Sequence, residues 1–434
     1  MSENTPDARR LVVVGAGLAG LRACETARRG GHAGPIVLVG SEVHLPYDRP
    51  PLSKEFLDVD GAGKPDPHLQ TEAVLRDELD IDVRTGTAAL GLDVQRKVLL
   101  TGAGELPYDA LVVATGAAAR TLPGSEQLAG VLALRTLDDA HALRLALEAG
   151  ARTVVVGAGF IGSEVASAAS KRGLDVTVVE ALGAPLVRSL GVEVGALCSS
   201  LHTDHGTDLR LGVGVAALHP REGSEADADG RRPVGAVVLT DGTVLPADLV
   251  VVGVGCVPST AWLADSGLQL HERDGGIVCD ENLQALDASG APVDGVFAAG
   301  DVAHWHNALF DRTMRLEHWT SAAEQGAAAA TNALAEQRAP YVTVPYFWSD
   351  WYGTRLQFVG VPTADEVVVQ QRTDAKGGTA VLYRQGETLV GALTLGRPDL
   401  IMKYRRMVKN RAPWDEGLGF GASASTPAPV RTAG

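Results

Sequence analysis

Short runs of aliphatic and β-branched residues punctuate the chain, and two of them share a context. Residues 10–20 read RLVVVGAGLAG and residues 152–162 read RTVVVGAGFIG, identical at eight of eleven positions. Each run ends in Gly-x-Gly-x-x-Gly. An alanine-rich stretch of helical length follows in each copy, LRACETARRGG and then SEVASAASKRG. A second apolar run comes next, PIVLVGSE and LDVTVVEA. The order predicts strand, tight turn, helix and strand, written twice. Apolar runs without alternation suit parallel strands covered on both faces.

Each copy also has a distant apolar run that would close its sheet: DALVVATGA (109–117) for the first and DLVVVGVGCVP (248–258) for the second. A further strand, GVFAAGD (295–301), ends in Gly300-Asp301. The polar stretch REGSEADADGRR (221–232) reads as an exposed hairpin loop. From about residue 340 the pattern changes. YFWSDWYGTRLQFVG, EVVVQQR, GTAVLYR and TLVGALTLG predict an antiparallel sheet, in a region rich in aromatics such as Trp348, Trp351 and Trp414. DLIMKYRRMVKNR then reads as a basic helix, and GASASTPAPVRTAG as a mobile tail, as do the first ten residues. The expected class is α/β. Two Rossmann-like dinucleotide-binding domains precede a C-terminal α+β domain with an antiparallel sheet. The expected boundaries are 1–118 with 256–335, then 119–255, 336–420 and a tail at 421–434.

Composition narrows the function. The 434 residues carry 38 Lys+Arg against 53 Asp+Glu, a formal charge of -15. Nucleic-acid binding needs clustered positive charge, so it is not expected. Hydrophobic residues are 45% and charged residues 21%, which supports packed cores and excludes global disorder. No apolar run reaches the roughly 18 residues of a spanning helix. MSENTPDARR lacks the apolar stretch of a signal peptide, so a soluble, cytoplasmic protein without membrane attachment is expected. Cys24, Cys198, Cys256 and Cys279 fall at no metal-binding or redox spacing. No metal site is expected, and redox chemistry must come from a cofactor.

The glycine turns carry that chemistry. Gly15 serves the turn, Gly17 lets a pyrophosphate approach the backbone, and Gly20 lets helix and strand pack closely. The helix N-terminus then faces the phosphates. Glu42, twenty-two residues after Gly20, suits ribose hydroxyls. Close helix–strand packing alone is the plainer alternative. The second copy supplies Gly157, Gly159 and Gly162, with Glu180 at the end of the next strand. A carboxylate there accepts the 2′-hydroxyl of NADH and repels the 2′-phosphate of NADPH. Arg188 can hold a phosphate or a surface ion pair. Two such sites suit one resident flavin, FAD, and one transient nicotinamide. Asp301 suits the ribityl hydroxyls of FAD or the cap of a nearby helix.

With these motifs stand PYDRPPLSKEFL (46–57), ATGA (114–117), GVGCVP (253–258), AAGDVA (298–303) and EHWTSAAEQG (317–326). Together they resemble the FAD-dependent NADH:ferredoxin reductases of oxygenase systems, of the putidaredoxin-reductase kind. These belong to the two-dinucleotide flavoproteins that include glutathione reductase. The resemblance covers roughly residues 8–415. It implies FAD contacts from Arg49, Thr115, Gly116, Arg135, Gly300, Asp301 and Trp319, and an NADH contact from Gly255. It implies that Lys54 sits by the flavin, that Glu164 pairs with it, and that Trp319 lies beside the reacting rings. From the residues alone, Lys54 is equally a surface lysine, Glu164 a first-turn acid and Trp319 ordinary core.

The disulfide-reductase branch of that superfamily places cysteines after the first acidic strand. Residues 46–57 contain none, so electrons are expected to leave for an external carrier. The resemblance implies a 2Fe–2S ferredoxin that serves an oxygenase. Such ferredoxins are generally acidic, as is this chain. Docking then needs a local basic patch, for which Arg312, Arg315, Lys403, Arg405, Arg406, Lys409 and Arg411 are candidates. A rubredoxin reductase, an NADH oxidase or diaphorase, and a redox sensor resembling apoptosis-inducing factor are the alternatives.

Overall fold

The computed structural model describes residues 9–58, 66–371 and 377–420. The expected tail at 421–434 and most of the expected N-terminal extension lie outside these. The chain forms two compact units. One comprises residues 1–48, 66–118 and 257–345, and the other residues 49–65, 119–256 and 346–434.

The first unit is built on a six-stranded sheet. Its spatial order is Gln284–Leu286, Pro292–Ala298, Ala110–Val113, Leu11–Val14, Ile36–Val39 and Ile81–Arg84. All neighbouring pairs are parallel except the first. Leu11–Val14 lies in the middle, and all four of its residues are buried. This is why the run lacks alternation: neither face of the strand meets solvent. Helix Leu18–Arg29 packs on helix Trp319–Leu334. A Cβ at Gly326 would lie 2.1 Å from the Ala19 carbonyl oxygen, so only glycine permits this approach.

The second unit contains a five-stranded, wholly parallel sheet. Its order is Val131–Ala133, Leu249–Val252, Thr153–Val156, Val176–Glu180 and Asp208–Leu211. The run 248–258 is not one strand. It breaks after Val252, and Gly255 turns the backbone at φ +94°. The expected hairpin loop lies between Val215–Pro220 and Arg232–Leu239, which pair antiparallel. The C-terminal part of this unit is an antiparallel five-stranded sheet, Tyr346–Trp351, Thr354–Gly360, Thr388–Leu395, Thr379–Gln385 and Glu366–Gln371. The basic helix is Pro398–Lys409, with Leu400, Ile401, Tyr404 and Val408 buried. Among the described residues no helix is long and apolar enough to cross a membrane.

A buried polar cluster ties parts of the second unit together. His202, from helix Val192–Thr203, is fully buried. Its Nε2 meets Ser163 Oγ at 3.1 Å and its Nδ1 meets Tyr352 Oη at 2.9 Å. Burial pushes its pKa down from 6.5 to about 4. The fold therefore favours the neutral ring. That contribution is complete above about pH 6.5 and is withdrawn as the pH falls toward 4. Between pH 7 and pH 4, wild type should lose about 3 kcal/mol more unfolding free energy than His202→Gln. Urea titrations at several pH values measure this, and parallel losses in the two proteins would contradict it.

Candidate functional site

The two glycine turns have the same local geometry. Gly15 has φ +112° and Gly157 φ +102°. A Cβ at Gly20 would fall 1.9 Å from the Gly15 carbonyl oxygen, and one at Gly162 would fall 2.1 Å from that of Gly157. These glycines let each helix seat on its own turn. The middle glycines differ in kind: a Cβ at Gly17 would meet nothing within 4 Å, and one at Gly159 nothing closer than the Gly253 oxygen at 3.7 Å. Open space in front of a helix N-terminus is what an approaching pyrophosphate requires.

In the first unit several expected residues converge on that turn. A Cβ at Gly15 would lie 2.1 Å from the Ala114 oxygen and 2.8 Å from the Thr115 nitrogen. Thr115 Oγ1 donates to the Ser259 carbonyl at 2.9 Å, and Gly116 accepts from the Ser259 N–H. Gly300 has φ +76°, and a Cβ there would lie 3.3 Å from Ala19 Cβ. Its N–H donates to Gln325 Oε1 at 2.8 Å. Asp301 follows in a buried 3-10 turn. Glu42 accepts a hydrogen bond from the Tyr47 hydroxyl. Trp319 begins helix Trp319–Leu334, and its Nε1 donates to Asp48 Oδ1 at 2.6 Å. The residues fit a dinucleotide: an open turn, two carboxylates and a helix N-terminus together.

In the second unit a Cβ at Gly157 would lie 2.4 Å from the Gly253 oxygen, so the segment leading to Gly255 runs beside the turn. Glu180 closes the same turn: Oε2 accepts from the Ala158 N–H and Oε1 from the Leu182 N–H, both at 2.9 Å. Arg188 is exposed and has no ion-pair partner among the described residues.

The second unit also holds the pair Lys54–Glu164, with Nζ 2.9 Å from Oε1. Glu164 is 3% exposed. A buried carboxylate is costly unless donors surround it, and four do. Lys54 and the Asp350 N–H approach Oε1, as does the Ser349 hydroxyl at 2.5 Å; Ser53 donates to Oε2. Ser349 also accepts from the Trp351 indole N–H at 2.8 Å, so its single proton must go to Glu164. Lys54 gives a second hydrogen to the Pro50 carbonyl at 3.2 Å. Its third has no acceptor among the described residues.

The segment carrying Lys54 is fixed at its far end to the C-terminal end of helix Phe160–Lys171. Arg172 donates to the Leu57 carbonyl at 2.9 and 2.6 Å, and Lys171 pairs with Asp58 at 2.9 Å. Arg49 donates to the Arg135 carbonyl. Sequence reasoning missed Ser53, Ser349 and Trp351, whose partners are more than a hundred residues away or depend on a strand register. Two serines carry no signal by themselves.

One expected docking cation is corrected. Arg315 has only 14% of its side chain exposed and is ion-paired to Asp274 and Glu317, both at 2.8 Å. Its Nη1 also holds the Asp301 carbonyl at 2.9 Å, so it is an internal strut. Lys403, Arg406, Lys409 and Arg411 are exposed, while Arg405 is half-buried with its guanidinium 6.0 Å from the Tyr346 ring centroid. All four cysteines are free thiols. Burial pushes Cys24 and Cys198 up to about 12 and raises Cys279 further, so these three are inert as nucleophiles.

Ser349→Ala removes one donor from Glu164 and strands the Trp351 N–H; urea unfolding should show a loss of about 1–3 kcal/mol. Glu164→Gln leaves the Lys54 ammonium without its counterion and should cost more, about 3–5 kcal/mol. The reverse ranking would show that the ion pair is not the centre of the cluster.

Comparison with known proteins agrees with this architecture. Residues 9–326 match the pyridine nucleotide-disulphide oxidoreductase family, and residues 346–419 match the reductase C-terminal family. Rhodocoxin reductase of Rhodococcus erythropolis is 36% identical over 411 residues, spanning 93% of this chain and 90% of its own. Putidaredoxin reductase of Pseudomonas putida is 34% identical over 417 residues, spanning 94% and 93%. The solved covalent putidaredoxin reductase–putidaredoxin complex matches with a TM-score of 0.84 at 33% identity, over 96% of both chains. The chain belongs to the pyridine nucleotide-disulphide oxidoreductase family, with a reductase C-terminal domain over residues 346–419.

Proposed function

We propose that this protein is an FAD-dependent reductase. It takes a hydride from NADH and passes electrons singly to a 2Fe–2S ferredoxin that serves a cytoplasmic oxygenase system. The observation that carries the reading is the pairing of two open glycine turns with a segment, residues 46–57, that contains no cysteine. Two dinucleotides have places, and electrons have no protein thiol to enter. The relatives support the acceptor class, since they are named as reductases of rhodocoxin, putidaredoxin and dioxygenase ferredoxins.

Gly15, Gly17 and Gly20 would hold the FAD pyrophosphate, with Glu42 at ribose and Asp301 at ribityl hydroxyls. Gly157, Gly159 and Gly162 would hold that of NADH, with Glu180 selecting the free 2′-hydroxyl. Bound FAD supplies the conversion of one hydride into two single-electron deliveries. Lys54 supplies positive charge for the reduced cofactor, and Glu164 fixes its ammonium in place. The hydride step needs no general acid or base from the chain, because proton and electrons travel together; the proton is released to solvent as the two electrons leave for the carrier.

For the carrier, the exposed cations of helix Pro398–Lys409 are the proposed dock. That helix contains no acid from Ile401 onward, in a chain of charge -15. A small basic face on an acidic protein steers an acidic partner.

NADH-driven cytochrome c reduction tests the function. The rate should rise strongly on adding a 2Fe–2S ferredoxin, and NADH should exceed NADPH in kcat/KM. Equal turnover without any iron–sulfur protein would indicate an oxidase or diaphorase instead, and stimulation by rubredoxin alone a rubredoxin reductase. Separately, Arg406→Glu with Lys409→Glu should raise KM for ferredoxin and flatten its salt dependence while leaving KM for NADH unchanged. A change in NADH kinetics alone would place the dock elsewhere.

A further inference from the structure

The first unit brings together three side chains that the proposed reaction does not use. His271 and Asp274 lie in the tight loop HERDGG, which folds back through the His271 N–H to the Gly276 carbonyl at 2.7 Å. His304 comes from strand Ala303–Asn307, whose parallel pairing places it opposite Val278, just past that loop. His304 Nε2 is 2.9 Å from Asp274 Oδ1, and His271 Nδ1 is 3.3 Å from the same oxygen. The two imidazoles stack with centroids 4.1 Å apart and planes 11° from parallel. A Cβ at Gly276 would lie 2.6 Å from His304 Cδ2, so the loop closes directly on that ring.

Two features distinguish this cluster from an ordinary polar network. First, His271 Nδ1 is buried and makes no hydrogen bond: it lies 3.3 Å from Asp274 Oδ1 without the alignment of one. A buried ring nitrogen without a proton partner is costly, and a cation would satisfy it. Second, Asp274 is already oriented. Oδ2 accepts from Arg315 Nε at 2.8 Å and Oδ1 from the Gly276 N–H at 3.1 Å, the outer support that ligating carboxylates usually have. Arg315 does not make the site repel a cation, because Glu317 pairs with it at 2.8 Å. With neutral imidazoles, Asp274, Glu317 and Arg315 leave one net negative charge.

We propose that His271 Nδ1, His304 Nε2 and Asp274 Oδ1 form a binding site for a divalent cation of the zinc class. The three donor atoms lie within 4.8 Å of one another. A tetrahedral ion with bonds of about 2.0–2.1 Å needs donor separations of about 3.3 Å. Two edges are already 2.9 and 3.3 Å; because an ion lies in the plane of each imidazole it binds, the partly exposed His271 ring must turn out of its stack with His304 to complete the triangle. Two nitrogens and one carboxylate suit zinc or cobalt and disfavour magnesium or calcium. Water takes the fourth position, reached past His271, whose side chain is 35% exposed. The bound ion would pin the 271–276 loop to the strand that follows Asp301.

The FAD-loaded protein, stripped with a chelator and re-equilibrated, is titrated with cobalt(II). One ion per chain should bind with a visible absorption band of tetrahedral cobalt, and zinc(II) should displace it. His271→Ala, on a partly exposed loop, should abolish the band and weaken zinc binding by at least the about 10–100-fold attached to losing an outer partner. Far-UV circular dichroism and flavin absorbance check that the variant is folded, and His271→Gln serves as a second variant. No saturable band in wild type would overturn the site, and so would equal binding in wild type and both variants. Neither readout depends on turnover, so failure here leaves the reductase reading standing.

Discussion

The ion pair between Lys54 and Glu164 is the constraint on which the second unit is organised. An ammonium and a carboxylate removed from water need each other and need further partners. The fold supplies these from two distant places: Ser53 beside Lys54, and Ser349 with the Asp350 N–H from the C-terminal sheet. Glu164 reaches them because its helix begins on the glycine turn, which Gly157 and Gly162 allow. The same turn that opens a phosphate site therefore positions the carboxylate. Clamping of residues 57 and 58 by Lys171 and Arg172 fixes the far end of the lysine segment. Lys54 is left with one ammonium hydrogen uncommitted, and this is the group the proposed chemistry uses.

The duplicated glycine turns diverge in what surrounds them. Around the first stand Thr115, Gly116, Gly300 and Asp301, with Gln325 holding the Gly300 N–H. That degree of enclosure suits a resident cofactor. Around the second, Glu180 binds the turn itself through the Ala158 N–H and the following segment through the Leu182 N–H. A lightly furnished site suits a substrate that comes and goes. Three of the four thiols, Cys24, Cys198 and Cys279, are buried with raised pKa values and so are poor nucleophiles.

Much of this was legible in the chain because short-range patterns encode it. A strand, three glycines and a helix form a local unit, and the carboxylate about twenty residues on is fixed by the following strand. The Lys54–Glu164 pairing was legible only through family resemblance, since nothing in either residue's neighbourhood names the other. Ser349, Trp351 and the His202 cluster were not legible, because antiparallel register and helix packing decide which hydroxyl meets which carboxylate. Short strands such as Ala89–Asp93 and Val98–Thr101 were missed for want of a continuous apolar run. Arg315 was misplaced because a charge read along a sequence carries no information on burial. The histidine cluster was invisible for a related reason: about thirty residues and a sheet register separate its members.

The central claim is that the anchored charge of Lys54 acts on the chemistry and not merely on stability. Anaerobic single-turnover reduction of the bound flavin by NADH, in Lys54→Ala beside wild type, tests it most directly. The account predicts a markedly slower reduction with FAD content retained. Flavin reduction at the wild-type rate in a fully loaded variant would contradict it.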